Sequence, residues 1–137
     1  MNAALIPDND PSVSVHLNTT AAADVALRAF WHLAVAWKLT IAEHLTLLGA
    51  TRATLYRCRQ GQASPLDRHT QEPLSHLFGI YAALQVLLPV PERANEWLRK
   101  PNTAPCLAGR SALERMMDGQ VGDLFVVRQY LDAERGA

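Results

Sequence analysis

The stretch from Leu74 to Leu88 constrains this chain more than any other. Leu74, Leu77, Phe78, Tyr81, Leu84 and Leu88 recur at helical spacing on one face, and Ile80, Ala83 and Leu87 on another. A helix apolar on nearly all sides is stable in water only when other elements cover it. The run is too short to cross a bilayer and is interrupted by Ser75, His76 and Gln85. It therefore reads as a buried helix within about residues 70–88, between Pro73 and Pro89, and predicts a homodimer or a tight junction between two lobes. With 137 residues, 49% apolar but only 7% aromatic, the chain can bury a mostly aliphatic core without staples.

The remaining pattern is also helical, so the expected fold class is all-α. Residues 1–20, with Pro7, Asp8, Asp10 and Pro11, read as a polar, flexible arm, and only Ser12–Leu17 shows brief strand-like alternation. A first helix starts near Thr19 or Thr20, with Asp24 in its opening turn favourable to the dipole. Ala26, Phe30, Leu33 and Trp37 form its inward stripe. Thr40 and Glu43 make a capping box for a second helix, which Gly49 stops. Thr51 caps a third, which runs to about Gln60 and ends at Gly61. After Pro89-Val90-Pro91, a helix begins at Pro91 with Ala94, Trp97 and Leu98 inward, followed by a loop over Lys100–Arg110. A second capping box, Ser111 with Glu114, opens a helix ended by Asp118-Gly119, and a last helix covers Val121 to about Glu134. The expected division is an arm (1–20), an N-terminal lobe (21–88) and a small helical C-terminal lobe (89–137).

The segment from Thr40 to Gly61 has the spacing of a helix-turn-helix. Gly49 supplies the turn, and Leu55 and Cys58, six and nine residues later, pack the second helix onto the first. Arg52, Ala53, Thr54, Tyr56, Arg57 and Arg59 are then free to face outward. Arg reads guanine edges, and Thr and Tyr hydroxyls bind phosphates, so these six are the candidate DNA-binding residues. Leu45 stands where the motif usually has a small residue, a departure that bears on the crossing angle of the two helices.

A net charge of zero, 13 cations against 13 anions, argues at first against nucleic acid. Resolved along the chain, residues 21–62 carry +3, residues 1–20 carry −2, residues 63–91 carry −1, and the remainder balances. The basic surplus is concentrated on the helix-turn-helix lobe.

The C-terminal segment reads Asn95-Glu96-Trp97-Leu98, Lys100-Pro101-Asn102, Leu107-Ala108-Gly109-Arg110-Ser111-Ala112-Leu113, Met117-Asp118-Gly119, then Val126 to Leu131. It resembles the toxin-binding domain of the Xre/MbcA/ParS-type antitoxins, with Ala112 where that family often has Pro. The run Thr51 to Arg57, followed by Gly61, is similar to the Xre-like helix-turn-helix found in front of that domain. The two parts together cover roughly residues 22–135. The resemblance implies an antitoxin that pairs with a RES-domain toxin, an NAD-consuming enzyme of the cytoplasm. It implies masking of the toxin's active-site cleft and repression through operator DNA. It also places the last helix and tail against the toxin, with Arg128, Tyr130, Leu131, Glu134, Arg135, Gly136 and Ala137 as candidates. A pyrophosphate-binding cleft should be rich in donors, so Asp132, Glu134 or the carboxylate of Ala137 could occupy it as anions.

Other classes lack their signatures. Cys58 and Cys106 form no CxxC, the five histidines show no metal-ligand spacing, and neither a GxSxG nor a phosphate-binding glycine loop is present. No cofactor or metal is expected, and a small all-α enzyme is disfavoured. The main alternative is a stand-alone helix-turn-helix repressor without a toxin partner. Residues 1–20 hold no Lys or Arg and no apolar segment of signal-peptide type, and the cysteine usage suits a reducing, cytoplasmic setting.

Overall fold

The computed structural model describes residues 20–60 and 68–136. The expected arm, the Ser12–Leu17 run, the stop at Gly61 and Ala137 lie outside them, as does the side chain of Cys58. Among the described residues the chain forms seven helices and no strand: α1 (Thr20–Ala36), α2 (Ile41–Leu48), α3 (Arg52–Arg59), α4 (Arg68–Leu87), α5 (Pro91–Trp97), α6 (Ala112–Met116) and α7 (Val121–Gly136).

The apolar run becomes α4, which packs against α1, α2, α5 and, most extensively, α7. Leu74, Leu77, Ile80, Ala83 and Leu84 are all within 1% of complete burial. One core, with Phe30 of α1, Trp37 just beyond it, and Leu124, Val127 and Leu131 of α7, is thus shared by both expected lobes. The covering that this helix demands comes largely from within the chain. Val86, at 59% exposure, marks its solvent side.

Two local expectations change. Helix α4 begins at Arg68, so Pro73 lies inside it rather than before it. Proline there removes the hydrogen bond to the carbonyl four residues back, at a cost of about 3 kcal/mol in an exposed helix interior. Burial of Pro73 with Leu74 offsets that cost. Helix α1 has no acidic residue in its first turn. Asp24 instead pairs with Arg28 at 2.8 Å, an exposed i,i+4 contact worth about 0.3–0.5 kcal/mol.

The caps form as their chemistry requires. Thr40 and Glu43 close a reciprocal box at 2.8 and 3.2 Å, and Ser111 and Glu114 do the same at 2.8 and 3.1 Å. The hydrogen bonds from Ser111 hold the Glu114 carboxyl below its ordinary pKa. Gly49 takes φ 65°, and its N–H donates to the Leu45 carbonyl. Helix α1 ends without glycine. Lys38 adopts φ 55°, while the N–H of Leu39 donates back to the Ala34 carbonyl at 2.9 Å.

Candidate functional site

The face of α3 expected to meet DNA is built first by local bonds. The Thr51 hydroxyl accepts the N–H of Thr54 at 3.2 Å and so caps α3. Leu55 is buried (5% exposed) and pins α3 to the core. Arg52, Ala53, Tyr56, Arg57 and Arg59 are exposed, and Thr54 is half-buried. The Thr54 hydroxyl accepts bonds from the Thr51 hydroxyl (3.0 Å) and from Arg57 Nη2 (3.4 Å).

Arg59 differs from the other two arginines. Its guanidinium lies 5.2 Å from the centroid of the Trp31 ring, a cation–π contact that ties the end of α3 to α1. Trp31, Phe30 and His44 meet edge to face at 5.4–5.6 Å. His44 is buried, and among the described residues neither ring nitrogen has a hydrogen-bond partner. Burial first, then the Arg59 charge, push its pKa below the ordinary value, while Glu43 pulls the other way.

That cluster has a pH consequence. A histidine held neutral in the fold binds its proton more readily in the unfolded chain. The resulting stability is fully present above about pH 6.5, the ordinary imidazole value. It is lost as pH falls from there through the lowered folded pKa. Thermal unfolding should show the midpoint dropping between pH 7.5 and pH 5, and His44→Phe should flatten that drop. An unchanged pH profile in the variant would assign the effect elsewhere. Glu114 and Asp118 do not confuse the test, because carboxyls held below their ordinary pKa lose their contribution only as pH falls below about 4.5.

The C-terminal lobe is organised by its loop. Asn102 Oδ1 accepts the N–H of Ala104 at 2.8 Å. The Asn102 backbone exchanges bonds with Arg110 (3.1 Å) and Gly109 (2.8 Å), beside an isolated bridge between Pro101 and Ser111. Ala108 and Gly109 take φ 52° and 87° to turn the chain there. Arg110 donates to both oxygens of Asp118 at 3.0 and 2.8 Å and to the Glu114 carbonyl at 2.8 Å. This fork holds the Asp118 carboxyl below its ordinary pKa. Arg115 bonds Asp123 at 2.9 Å and the Cys106 carbonyl at 2.8 Å, joining loop, α6 and α7. The roles of Asn102, Arg110 and Arg115 are not legible in the sequence. A Pro-Asn pair followed by Gly marks a turn but does not say which groups close it.

The residues expected on the toxin side that are described fall into four settings. Leu131 is a core residue, 2% exposed. Arg128 lies along α4: its Nη1 donates to the Ser75 carbonyl (3.3 Å), its Nε stands 3.6 Å from Asp132, and it fills the notch left by Gly79. Tyr130 is half-buried, and its phenol pKa is raised by burial and by Glu134 and Cys106 nearby. Glu134, Arg135 and Gly136 are exposed. Phe125, one turn into α7, is also exposed (49%) and stands edge-on to His76 at 5.7 Å.

This chain is 42% identical over 112 residues to a protein of Sinorhizobium fredii (strain NBRC 101917 / NGR234), called uncharacterized protein y4oB; the match spans 80% of this chain and 84% of that one. Residues 83–136 match the family described as the antitoxin Xre/MbcA/ParS C-terminal toxin-binding domain. The chain carries the toxin-binding domain of the Xre/MbcA/ParS antitoxins. The matched domain begins inside α4, so the shared helix is the joint between toxin binding and everything before it. An antitoxin is a binding protein rather than an enzyme, and its toxin-binding domain implies a cognate toxin. Among the described residues no helix is long and apolar enough to cross a membrane.

Proposed function

We propose that this antitoxin neutralises a RES-domain, NAD-degrading toxin by covering its active-site cleft, and that it binds operator DNA to repress its own transcription. The carrying observation is the exposed face of α3, where Arg52, Tyr56 and Arg57 stand outward while Leu55 is buried. A stand-alone repressor would share this face but would have no use for a toxin-binding domain at residues 83–136. Pairing of two antitoxins supports operator binding, because one lobe of charge +3 grips phosphates weakly. Two recognition helices would then meet half-sites about 34 Å apart.

On the toxin side, the exposed Asp132 and Glu134 supply anions suited to a cleft shaped for pyrophosphate. Co-expression with the cognate RES-domain toxin tests the reading. The full chain should restore growth and co-purify with the toxin. Deleting residues 134–137 should weaken the complex by tenfold or more, roughly the scale of losing one interface anchor. The shortened chain should keep its operator affinity. Full rescue by it would remove the tail from the site, and no complex with the full chain would overturn the RES assignment.

A further inference from the structure

One side chain of the toxin-binding domain reaches the helix-turn-helix. Arg99, just beyond α5, donates through Nη2 to the carbonyls of Trp37 (3.1 Å) and Lys38 (2.9 Å) and to Glu43 Oε1 (3.4 Å). The first two acceptors end α1, where a cation satisfies carbonyls left without helical partners. The third is the same oxygen that receives the Thr40 N–H and starts α2. One guanidinium thus holds the corner through which the chain enters the DNA-reading helix pair.

Its other side leads to the toxin. The Leu98 carbonyl, one residue before Arg99, accepts the N–H of Leu113 in α6 at 2.9 Å. Arg115, also in α6, is bonded to Asp123 in α7. A contiguous set of bonds therefore runs from α7 through α6 to Arg99, and from there to the start of α2.

We propose that Arg99 is a positioning residue for DNA reading, through which toxin occupancy on α7 alters operator affinity. The proposal rests on the functional reading above, and it deepens that reading by naming the regulation of its DNA site. Two sites are coupled only if each ligand changes the other's affinity by the same factor, typically about 5–150-fold. Contiguous bonds alone do not establish this.

The experiment measures operator affinity with and without saturating toxin, across several salt concentrations, for the full-length protein, Arg99→Ala, Arg99→Lys and Glu43→Gln. Arg99→Ala should lose on the order of tenfold in affinity and most of the response to toxin, with toxin neutralisation unchanged. Its salt slope should stay that of the parent, because Arg99 touches no phosphate. Arg99→Lys should recover part of the loss. Glu43→Gln keeps the cap, since Gln also serves there, and should show a smaller loss in the same direction. It reads the same interaction if Arg99→Ala fails to fold.

Unchanged operator affinity in Arg99→Ala, or a salt slope reduced by about one, overturns the proposal, the latter by making Arg99 a direct phosphate ligand. If the parent protein has no operator affinity, the functional reading fails separately. Amide exchange over residues 40–59 then decides. Toxin should change protection there in the parent and not in Arg99→Ala, and equal changes in both sink the coupling.

Discussion

Replacing Leu77 by Ala is expected to destabilise this protein by about 3 kcal/mol. Leu77 has no exposed surface and sits mid-way along the helix against which α1, α2, α5 and α7 pack. Truncation removes its transfer free energy and leaves a cavity that neighbours from several helices cannot all close. Against a total stability of about 5–15 kcal/mol, the thermal midpoint should fall by roughly 10 °C. Because α4 serves both lobes, fluorescence and far-ultraviolet dichroism should report one coincident transition before and after the change. On the same helix, Val86→Ala should stay within about 0.5 kcal/mol, because Val86 faces solvent. A Leu77→Ala protein destabilised by less than about 1 kcal/mol, or separate transitions for the two lobes, would contradict a shared core.

The second large effect concerns the proposed operator. The double change Arg52→Ala, Arg57→Ala should lower operator affinity by on the order of 100-fold, since each good arginine interaction with a base or phosphate is worth about 1–3 kcal/mol. The slope of log affinity against log salt should shrink by about one for each phosphate that is no longer neutralised. Arg59→Ala should behave differently. Its guanidinium stacks on Trp31, so its removal should cost about 0.5–1 kcal/mol of stability and change the salt slope little. Fluorescence anisotropy with operator duplexes, beside thermal unfolding, separates the two. If Arg59→Ala gives the larger drop in salt slope, the division of the three arginines is reversed.

Much of the local structure was legible in the residues. Both capping boxes, the left-handed stop at Gly49 and the start at Pro91 depend on groups within about four residues of one another. Their chemistry is therefore complete in the chain itself. The buried run over 74–88 was legible from its own helical spacing. Other features were not. Lys38 takes a conformation usually left to glycine, and Arg99 bonds the two carbonyls at that corner from 61 and 62 residues away. Pro73, a stop signal by rule, is carried inside α4 because burial outweighs one missing hydrogen bond.

The amino-acid sequence by itself determined the helical class of the described residues, where most of their helices start, and that a surplus of three cations falls within residues 21–62 despite a net charge of zero. Only the tertiary structure decided which side chains of those helices face solvent. Leu131 and Arg128 turn toward α4, Arg59 lies on Trp31, and Glu134 and Arg135 stay exposed. Periodicity constrains the rotation of a helix only as closely as its apolar stripe is narrow. On α4 and α7, where apolar residues spread around the helix, packing partners distant in sequence made the choice.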